Sequence, residues 1–392
     1  MTTGSFNWLV KITSKPLWNL GFRPFFLLGS LSGTISLGIW LLSLQGYSYS
    51  HSIDQFWHAH EMIFGFVLAI IVGFLLTASQ NWSGKTGVHG GSLIALVLIW
   101  GIGRLLLISP FAGTTIAAAL DLFFIPFTVF LLLPYIKDQK KNWGFLVLLS
   151  LLWLCNIGYH LSDLGVISDV KRKSLLIAIQ IILIVVVVIV GRVLPFFTKS
   201  AIRTYRRKNL GHLDRLALLV SVLFAGVYSY SEYSMGTWVL GYIAAAVHLV
   251  RLGLWFDILI LKKPILLILY IGYLWLIVGY YTSAMAAQGQ LIPSIAIHAF
   301  TVGTMSVLII GMMSRVSLGH TGRKIFASRL CILGYGCILT SAVVRFLGPL
   351  LQDVEYMQSI TLAGGLWMAS ALLFVWEYAR VLLKAREDGK PG

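Results

Sequence analysis

Long apolar stretches alternate with short polar loops along almost the whole chain. A helix that crosses the hydrocarbon core of a bilayer needs about 20 mostly apolar residues. The segments that meet this rule are approximately 24–46, 57–80, 90–109, 111–136, 143–163, 173–197, 212–230, 232–257, 264–287, 291–313, 325–347 and 352–379. None alternates between polar and apolar positions as transmembrane β-strands do. The pattern therefore predicts an all-α, polytopic membrane bundle of about 12 transmembrane helices.

The composition excludes a soluble protein. Hydrophobic residues make up 58% of the chain and charged residues only 11%, whereas a typical soluble domain is about 25% charged. The apolar runs continue to the end, and no Pro-rich or Ser-rich linker separates them. We therefore predict a single integral membrane domain over residues 1–392.

The net charge of +16 is explained by membrane topology. Lysines and arginines occupy the short loops, mostly on one side of the predicted bundle, and such loops usually face the cytoplasm. Both termini are thus predicted to be cytoplasmic, with anionic lipid headgroups as partners. A nucleic-acid-binding protein would cluster these residues on a soluble recognition fold, so no nucleic-acid partner is predicted. The cluster Lys171–Lys173 breaks the rule, and it lies on the predicted outer side.

The histidines carry the main functional signal, because ionisable side chains are costly within a membrane and usually serve function there. Five of the 9 histidines fall within predicted spans: His58, His60, His160, His248 and His298. Imidazole is a good ligand for copper and for haem iron. We therefore predict that these five histidines bind a metal or haem.

Depth in the membrane separates these histidines into two groups. With a rise of 1.5 Å per residue, His60, His160 and His298 lie roughly 6–12 Å outside the midplane. His58 lies nearer the outer boundary, and His248 lies roughly 6 Å on the inner side. The three at similar depth are expected to meet in one layer, apart from His248.

His58 and His60 are two residues apart, which points them about 200° from each other on a continuous helix. They can share one metal only if the helix begins after them, and a non-helical entry is our expectation. Glu61 is a candidate to orient a ligand or to carry protons. Asp121, in the outer half of the fourth helix, is a candidate proton relay or a partner for an arginine.

His248 follows Gly241, Ala244 and Ala245 on one helix face. This stripe of small residues suits either a flat macrocycle or close helix packing, and the sequence leaves both open. His298 shares its face with Ser294, Thr301 and Met305.

Arg104 and Arg345 lie near the outer ends of the third and eleventh spans. They would suit the propionates of a haem, or they extend toward lipid headgroups. Hydrolytic chemistry has no support, since the sequence shows neither a phosphate-binding glycine loop nor a Ser-His-Asp arrangement.

Several longer motifs resemble one known family. They are GFRPFF at 21–26, WHAHEMIFGF at 57–66, GFLLTASQNWSG at 73–84, RVLPFFT at 192–198 and HAFTVGTMSVLIIGMMSRVSLGHTGR at 298–323. Together and in this order they resemble the NnrS family of bacterial membrane proteins. The resemblance covers most of the chain.

This resemblance implies haem b and copper as cofactors, nitric oxide as ligand, and a role against nitrosative stress in the bacterial cytoplasmic (inner) membrane, with an unidentified electron donor. The motifs cover His58, His60, Glu61, Arg192, His298, His320 and Arg323. His160 rests on its depth alone. His320 and Arg323 fall on the predicted cytoplasmic side, where they serve a loop fold or an anion contact, or belong to a second site; we favour the loop.

The leading hypothesis is a multi-pass protein that binds nitric oxide and detoxifies or reduces it. Whether it turns nitric oxide over, as a nitric oxide reductase-like oxidoreductase does, is open. The alternatives are a transporter or a metal or haem exporter, and a non-catalytic sensor or assembly factor. The predicted residues are Glu61 and Asp121 for catalysis; His248, His298, Arg104 and Arg345 for cofactor binding; and His58, His60, His160, His248 and His298 for metal.

Overall fold

A computed structural model describes residues 13–47, 53–206, 210–351 and 355–390. The regular structure in these ranges is helical, without β-strands. Within these described ranges, twelve helices are long and apolar enough to cross a membrane. We number them α1 Phe22–Leu44, α2 Gln55–Ser83, α3 Gly90–Leu107, α4 Thr115–Ile136, α5 Lys140–Asp163, α6 Lys171–Ala201, α7 Gly211–Tyr230, α8 Met235–Trp255, α9 Pro264–Ala287, α10 Pro293–His320, α11 Arg329–Leu350 and α12 Tyr356–Leu383.

The predicted all-α fold with 12 spans is confirmed. The largest difference in bounds is in α10, which was expected to end near residue 313 and continues to His320. The added segment includes Arg315 and Ser317, which hydropathy alone excludes from a span. Both side chains are buried, at 5% and 0% exposure, and this is why the helix continues past them.

The chain divides into two compact units. Unit 1 consists of Met1–Ala178, Val316–Lys324 and Phe374–Gly392, and unit 2 consists of Ile179–Arg315 and Ile325–Leu373. Unit 1 contains α1 to α5, and unit 2 contains α7, α8, α9 and α11. That both belong to one domain over 1–392 stays a prediction.

In unit 1, α2 packs closely against α1 and α3. A Cβ atom built on Gly73 would lie 2.8 Å from the Phe25 Cβ, so only a glycine permits this approach to α1. The Thr77 hydroxyl accepts a hydrogen bond from the Phe22 backbone N–H at 3.0 Å. On the other side, the Trp100 indole N–H donates to the Gly65 carbonyl at 3.1 Å. The first two contacts fix the C-terminal half of α2, and the third fixes the N-terminal half, where the predicted site residues lie.

Two helices contain a π-helical segment. In α2 it covers Glu61–Val67 and in α10 it covers Ala299–Ser306. Each segment begins directly after a predicted metal ligand, His60 in α2 and His298 in α10. π-Helical turns are rare in proteins, and those that occur are often at functional sites. Their positions therefore indicate that these two histidines are functional.

The segment after α10 is tied to the C-terminal segment of unit 1. The Arg323 Nε lies 3.1 Å from the Glu387 Oε1, and Arg386 donates from Nη1 to the His320 carbonyl at 2.8 Å. Arg386 also bonds the exposed Asp388 and lowers the pKa of that carboxyl to about 2. These contacts support the loop interpretation of His320 and Arg323.

Candidate metal centre

Four helices of unit 1 bring titratable side chains to one buried place. His60 and Glu61 come from α2, Arg104 from α3, Asp121 from α4 and His160 from α5. Their exposures range from 0% for His60 to 7% for Arg104. We call these five residues the unit 1 cluster. The sequence predicted each of them as functional, and the fold brings them together.

Three atoms of the unit 1 cluster are arranged as metal ligands. The Nε2 atoms of His60 and His160 and one carboxylate oxygen of Asp121 lie within 4.8 Å of one another. The Asp121 Oδ2 is 3.4 Å from the His60 Nε2 and 2.9 Å from the His160 Nε2. Ligands bound at about 2.1 Å in a tetrahedral site lie about 3.4 Å apart. The spacing of these three atoms is therefore close to what a metal ion needs.

Glu61 holds the His60 ring in the orientation that a metal ligand needs. The His60 Nδ1–H donates to the Glu61 Oε1 at 3.0 Å. This directs the unprotonated Nε2 toward Asp121, as in the carboxylate–histidine–metal arrangement of many metalloproteins. The Tyr159 ring stacks on the same imidazole with centroids 4.2 Å apart, so the ring is fixed from a second side.

Asn156 brings a further acceptor to the same point. Its Nδ2 donates to the Asp121 Oδ2 at 2.7 Å, which fixes the orientation of the amide. The Asn156 Oδ1 then lies 2.9 Å from the His60 Nε2. Lone pairs of His60, Asn156 and Asp121 thus face one another, and such an arrangement needs a cation or a proton between them.

The charges of the unit 1 cluster do not balance. Arg104 donates from Nη1 to the Glu61 Oε1 at 2.7 Å and forms an ion pair with Asp121 through Nη2. One guanidinium thus faces two carboxylates, and the neutral histidines add no charge. Because an unpaired buried charge is costly, the centre favours a bound species with one positive charge.

Gly65 gives Arg104 and Glu61 the room they need. A Cβ atom built on this glycine would lie 3.2 Å from both the Arg104 Nη1 and the Glu61 Oε2. The Glu61 Oε2 is buried and has no hydrogen-bond partner in the structure. The π-helical turn and Gly65 together therefore create the space beside this carboxylate.

His58 and His60 lie against different neighbours. The Asp54 side chain accepts from the Phe56 N–H at 2.9 Å, and α2 begins at Gln55, ahead of both histidines. The expectation of a non-helical entry is therefore wrong. The His58 ring stacks on Trp40 of α1, with centroids 5.4 Å apart and planes at 11°, while His60 faces Asp121.

His298 and Arg345 lie in unit 2, and both form a hydrogen bond with Ser294. The His298 Nδ1–H donates to the Ser294 carbonyl at 2.7 Å. Arg345 donates from Nη2 to the Ser294 hydroxyl at 3.2 Å. His298 shares the predicted depth of His60 and His160, but the group of potential metal ligands among the described residues does not include it.

His248, also in unit 2, has a protein partner at each ring nitrogen. Arg251 donates from Nη1 to the Tyr273 hydroxyl at 2.9 Å, so Tyr273 donates in turn to the His248 Nδ1 at 2.5 Å. The Nε2–H then donates to the Ser221 hydroxyl at 3.0 Å. Asp214 pairs with Arg251 at 2.8 Å. This chain of hydrogen bonds leaves no coordination position on the ring.

The small residues beside His248 serve helix packing. A Cβ atom built on Gly241 would lie 2.9 Å from the Tyr280 carbonyl oxygen and 3.0 Å from the Ala284 Cβ, both in α9. The Tyr280 ring stacks on the imidazole, with planes at 12°. Of the two uses that the sequence left open for this stripe, close helix packing is the one observed.

Sequence reasoning missed two members of the site, Asn156 and Tyr159. Asn156 precedes His160 by four residues, which places both on one face of a helix, and this spacing was a usable signal. Tyr159 gave no such signal, because it was one of 16 tyrosines in an aromatic-rich chain.

A family model described as NnrS protein matches residues 16–386. No curated protein matches the sequence. Since the match extends over nearly all of the 392 residues and contains the unit 1 cluster, the chain belongs to the NnrS family.

Proposed function

We propose that this protein binds one copper ion at His60, Asp121 and His160, and that it binds nitric oxide there to detoxify or reduce it. Membership of the NnrS family suggests a role in nitric oxide metabolism. The observation that carries the proposal is the convergence of three buried ligand atoms in a centre that lacks one positive charge.

Charge favours Cu(I) over divalent ions. Glu61 and Asp121 contribute two negative charges and Arg104 one positive charge, so a monovalent ion makes the centre neutral. A divalent ion would leave an excess positive charge in a buried site, which is costly. Imidazole ligands suit copper, and the Asn156 Oδ1 offers a further oxygen beside the His60 Nε2.

The protein residues around the metal would have separate tasks. Bound reduced copper would supply a site for nitric oxide and an electron, replenished by a donor outside this chain. Glu61 orients His60 through Oε1, and its unpartnered Oε2 is the candidate proton acceptor. Arg104 holds both carboxylates in place. Nitric oxide is small and apolar, so it would reach the centre through the bilayer of the bacterial inner membrane.

Haem b, which the family resemblance implies, fits only some of the predicted ligands. His298 suits an axial ligand, because its Nδ1–H donates to the Ser294 carbonyl, as the second ring nitrogen of a metal-ligating histidine usually does. Arg345 suits a propionate partner, since its buried Nη1 has no hydrogen-bond partner. His248 does not fit, because Ser221 and Tyr273 occupy its ring nitrogens. Arg104 is already committed to Glu61 and Asp121.

Metal analysis of the purified full chain tests the copper proposal. We expect one copper per chain in the wild type, and loss of copper in His60→Ala and His160→Ala. His58→Ala is the matched control, because it removes a neighbouring histidine that stacks on Trp40, and it should keep its copper. Unchanged copper content in His60→Ala and His160→Ala would contradict the site.

A second measurement separates an enzyme from the alternatives. We expect the wild type to consume nitric oxide when an artificial electron donor is present, and His60→Ala to lose this activity while still folding. A metal-loaded protein that binds nitric oxide without consuming it would indicate a sensor. Copper transport across vesicles without nitric oxide consumption would indicate an exporter.

A further inference from the structure

The buried arginines among the described residues differ in the partners of their guanidinium groups. Five of the arginines that the structure describes have 9% exposure or less: Arg23, Arg104, Arg251, Arg315 and Arg345. An arginine side chain carries five N–H donors and stays charged in proteins. Each buried guanidinium therefore needs acceptors or a counter-charge.

Four of the five have such partners. Arg23 donates to the carbonyls of Leu382 and Lys384, and Arg104 pairs with two carboxylates. Arg251 pairs with Asp214, and Arg345 donates to the Ser294 hydroxyl. A buried arginine in this protein thus normally has at least one hydrogen-bond acceptor.

Arg315 is the exception among the described residues. Its side chain in α10 is 5% exposed, and its Nε is buried without a hydrogen-bond partner. No described residue offers it a carboxylate within ion-pair distance or a hydrogen bond. The Phe197 ring lies 3.8 Å from the guanidinium carbon. Both residues belong to unit 2.

An aromatic ring alone compensates a buried cation only in part, because a cation–π contact is weaker than the desolvation of the charge. The Phe197 ring covers the guanidinium near its central carbon. A ring stacked on the face of a guanidinium does not block its edge, where the N–H groups point. That edge can still bind a planar or tetrahedral oxyanion. The fork of N–H groups binds such an anion through two parallel hydrogen bonds.

The depth of Arg315 indicates where the anion comes from. It lies five residues before the end of α10 at His320, which is about 7.5 Å along the helix axis. That end is the predicted cytoplasmic end, where both lipid phosphates and free phosphate are present. The shared chemistry is a phosphate-type oxyanion.

We infer that Arg315, stacked on Phe197, is the anchor of an oxyanion-binding site in unit 2, which takes a phosphate group from a lipid headgroup or from free phosphate. The site is independent of the metal centre, and its occupant provides the counter-charge that the described residues do not supply.

Thermal unfolding of the full chain in neutral, phosphate-free detergent tests this inference with inorganic phosphate as the probe. Wild-type Tm should rise with phosphate concentration and saturate, as linkage requires for a ligand of the folded state. Arg315→Met should show no such rise and, without phosphate, a Tm no lower than that of the wild type. Arg329→Met is the matched control, because Arg329 is an exposed arginine at the start of α11.

Native mass spectrometry separates the two sources of the phosphate. A phospholipid retained by the wild type and by Arg329→Met, but lost from Arg315→Met, identifies a lipid headgroup. A phosphate-dependent Tm without retained phospholipid identifies the free anion. If Arg315→Met does not fold, Arg315→Lys replaces it, with phosphate binding expected to be roughly tenfold weaker because the fork is lost. Equal phosphate response and lipid retention in wild type and variant would overturn the inference.

Discussion

Replacing Arg104 with methionine should change the metal preference of the unit 1 cluster. Arg104 is the only positive group that bonds Glu61 and Asp121 among the described residues. Methionine has a long, unbranched side chain like the aliphatic part of arginine, and the exchange removes one positive charge. The centre then carries two negative charges instead of one, so a divalent ion should replace Cu(I) as the ion that makes it neutral.

The expected loss of stability follows from the same contacts. Glu61 and Asp121 are 1% and 4% exposed, and both lose their bonded cation. Removing one partner of a buried ion pair costs about 3–5 kcal/mol, because the other charge stays buried and uncompensated. We therefore expect metal-free Arg104→Met to be less stable than the wild type by about this amount, with Zn²⁺ restoring part of it.

The assay compares Tm and bound metal for wild type, Arg104→Met and Arg104→Lys, each without metal, with Cu(I) under anaerobic reduction, and with Zn²⁺. Arg104→Lys keeps the charge, so it should keep the preference for Cu(I). Arg345→Met, which removes a buried arginine of unit 2, controls for general damage. A preference of Arg104→Met for Cu(I) equal to that of the wild type would refute the reasoning from charge.

Three further substitutions each have a matched control. Gly65→Ala should weaken copper binding by roughly tenfold, because the new Cβ would lie 3.2 Å from Arg104 and Glu61. Competition with a chelator measures this change. Gly101 has no atom within 4 Å of a built Cβ, so Gly101→Ala should leave copper binding unchanged. Tyr273→Phe should lower the free energy of unfolding by about 1–3 kcal/mol, since His248 and Arg251 both lose a hydrogen-bond partner. Copper content should stay unchanged, and its loss would place His248 in the metal centre. The control is Tyr281→Phe, at an exposed tyrosine. Gly241→Leu should lower Tm by an amount equivalent to about 1–3 kcal/mol through overpacking against α9. Gly253 has open space on the same helix, so Gly253→Leu should leave Tm unchanged within experimental error. Equal effects of the two substitutions would contradict the packing role of Gly241.

Hydropathy was sufficient for the helices, because the bilayer forces each span to satisfy its own backbone within about 20 residues. It failed at the end of α10, where Arg315 is buried by other helices. A sequence pattern cannot report such a contact, since it depends on which helices become neighbours.

For the candidate site, depth was informative but incomplete. It grouped His60 with His160, and the fold brings both to Asp121. It also grouped His298 with them, although His298 belongs to unit 2, because depth fixes one coordinate and leaves the position in the membrane plane open. The small stripe before His248 was likewise ambiguous, since only the fold shows that Tyr280 and Ala284 fill it.

The most direct test of the metal centre is copper K-edge X-ray absorption of the full chain, loaded with one equivalent of copper under anaerobic reduction. We predict a Cu(I) edge and a first shell of nitrogen and oxygen, with the outer-shell scattering of two imidazoles from His60 and His160. His58→Ala should give the same spectrum. Sulfur in the first shell, or an unchanged spectrum in a variant that lacks both His60 and His160, would contradict a copper centre in the unit 1 cluster.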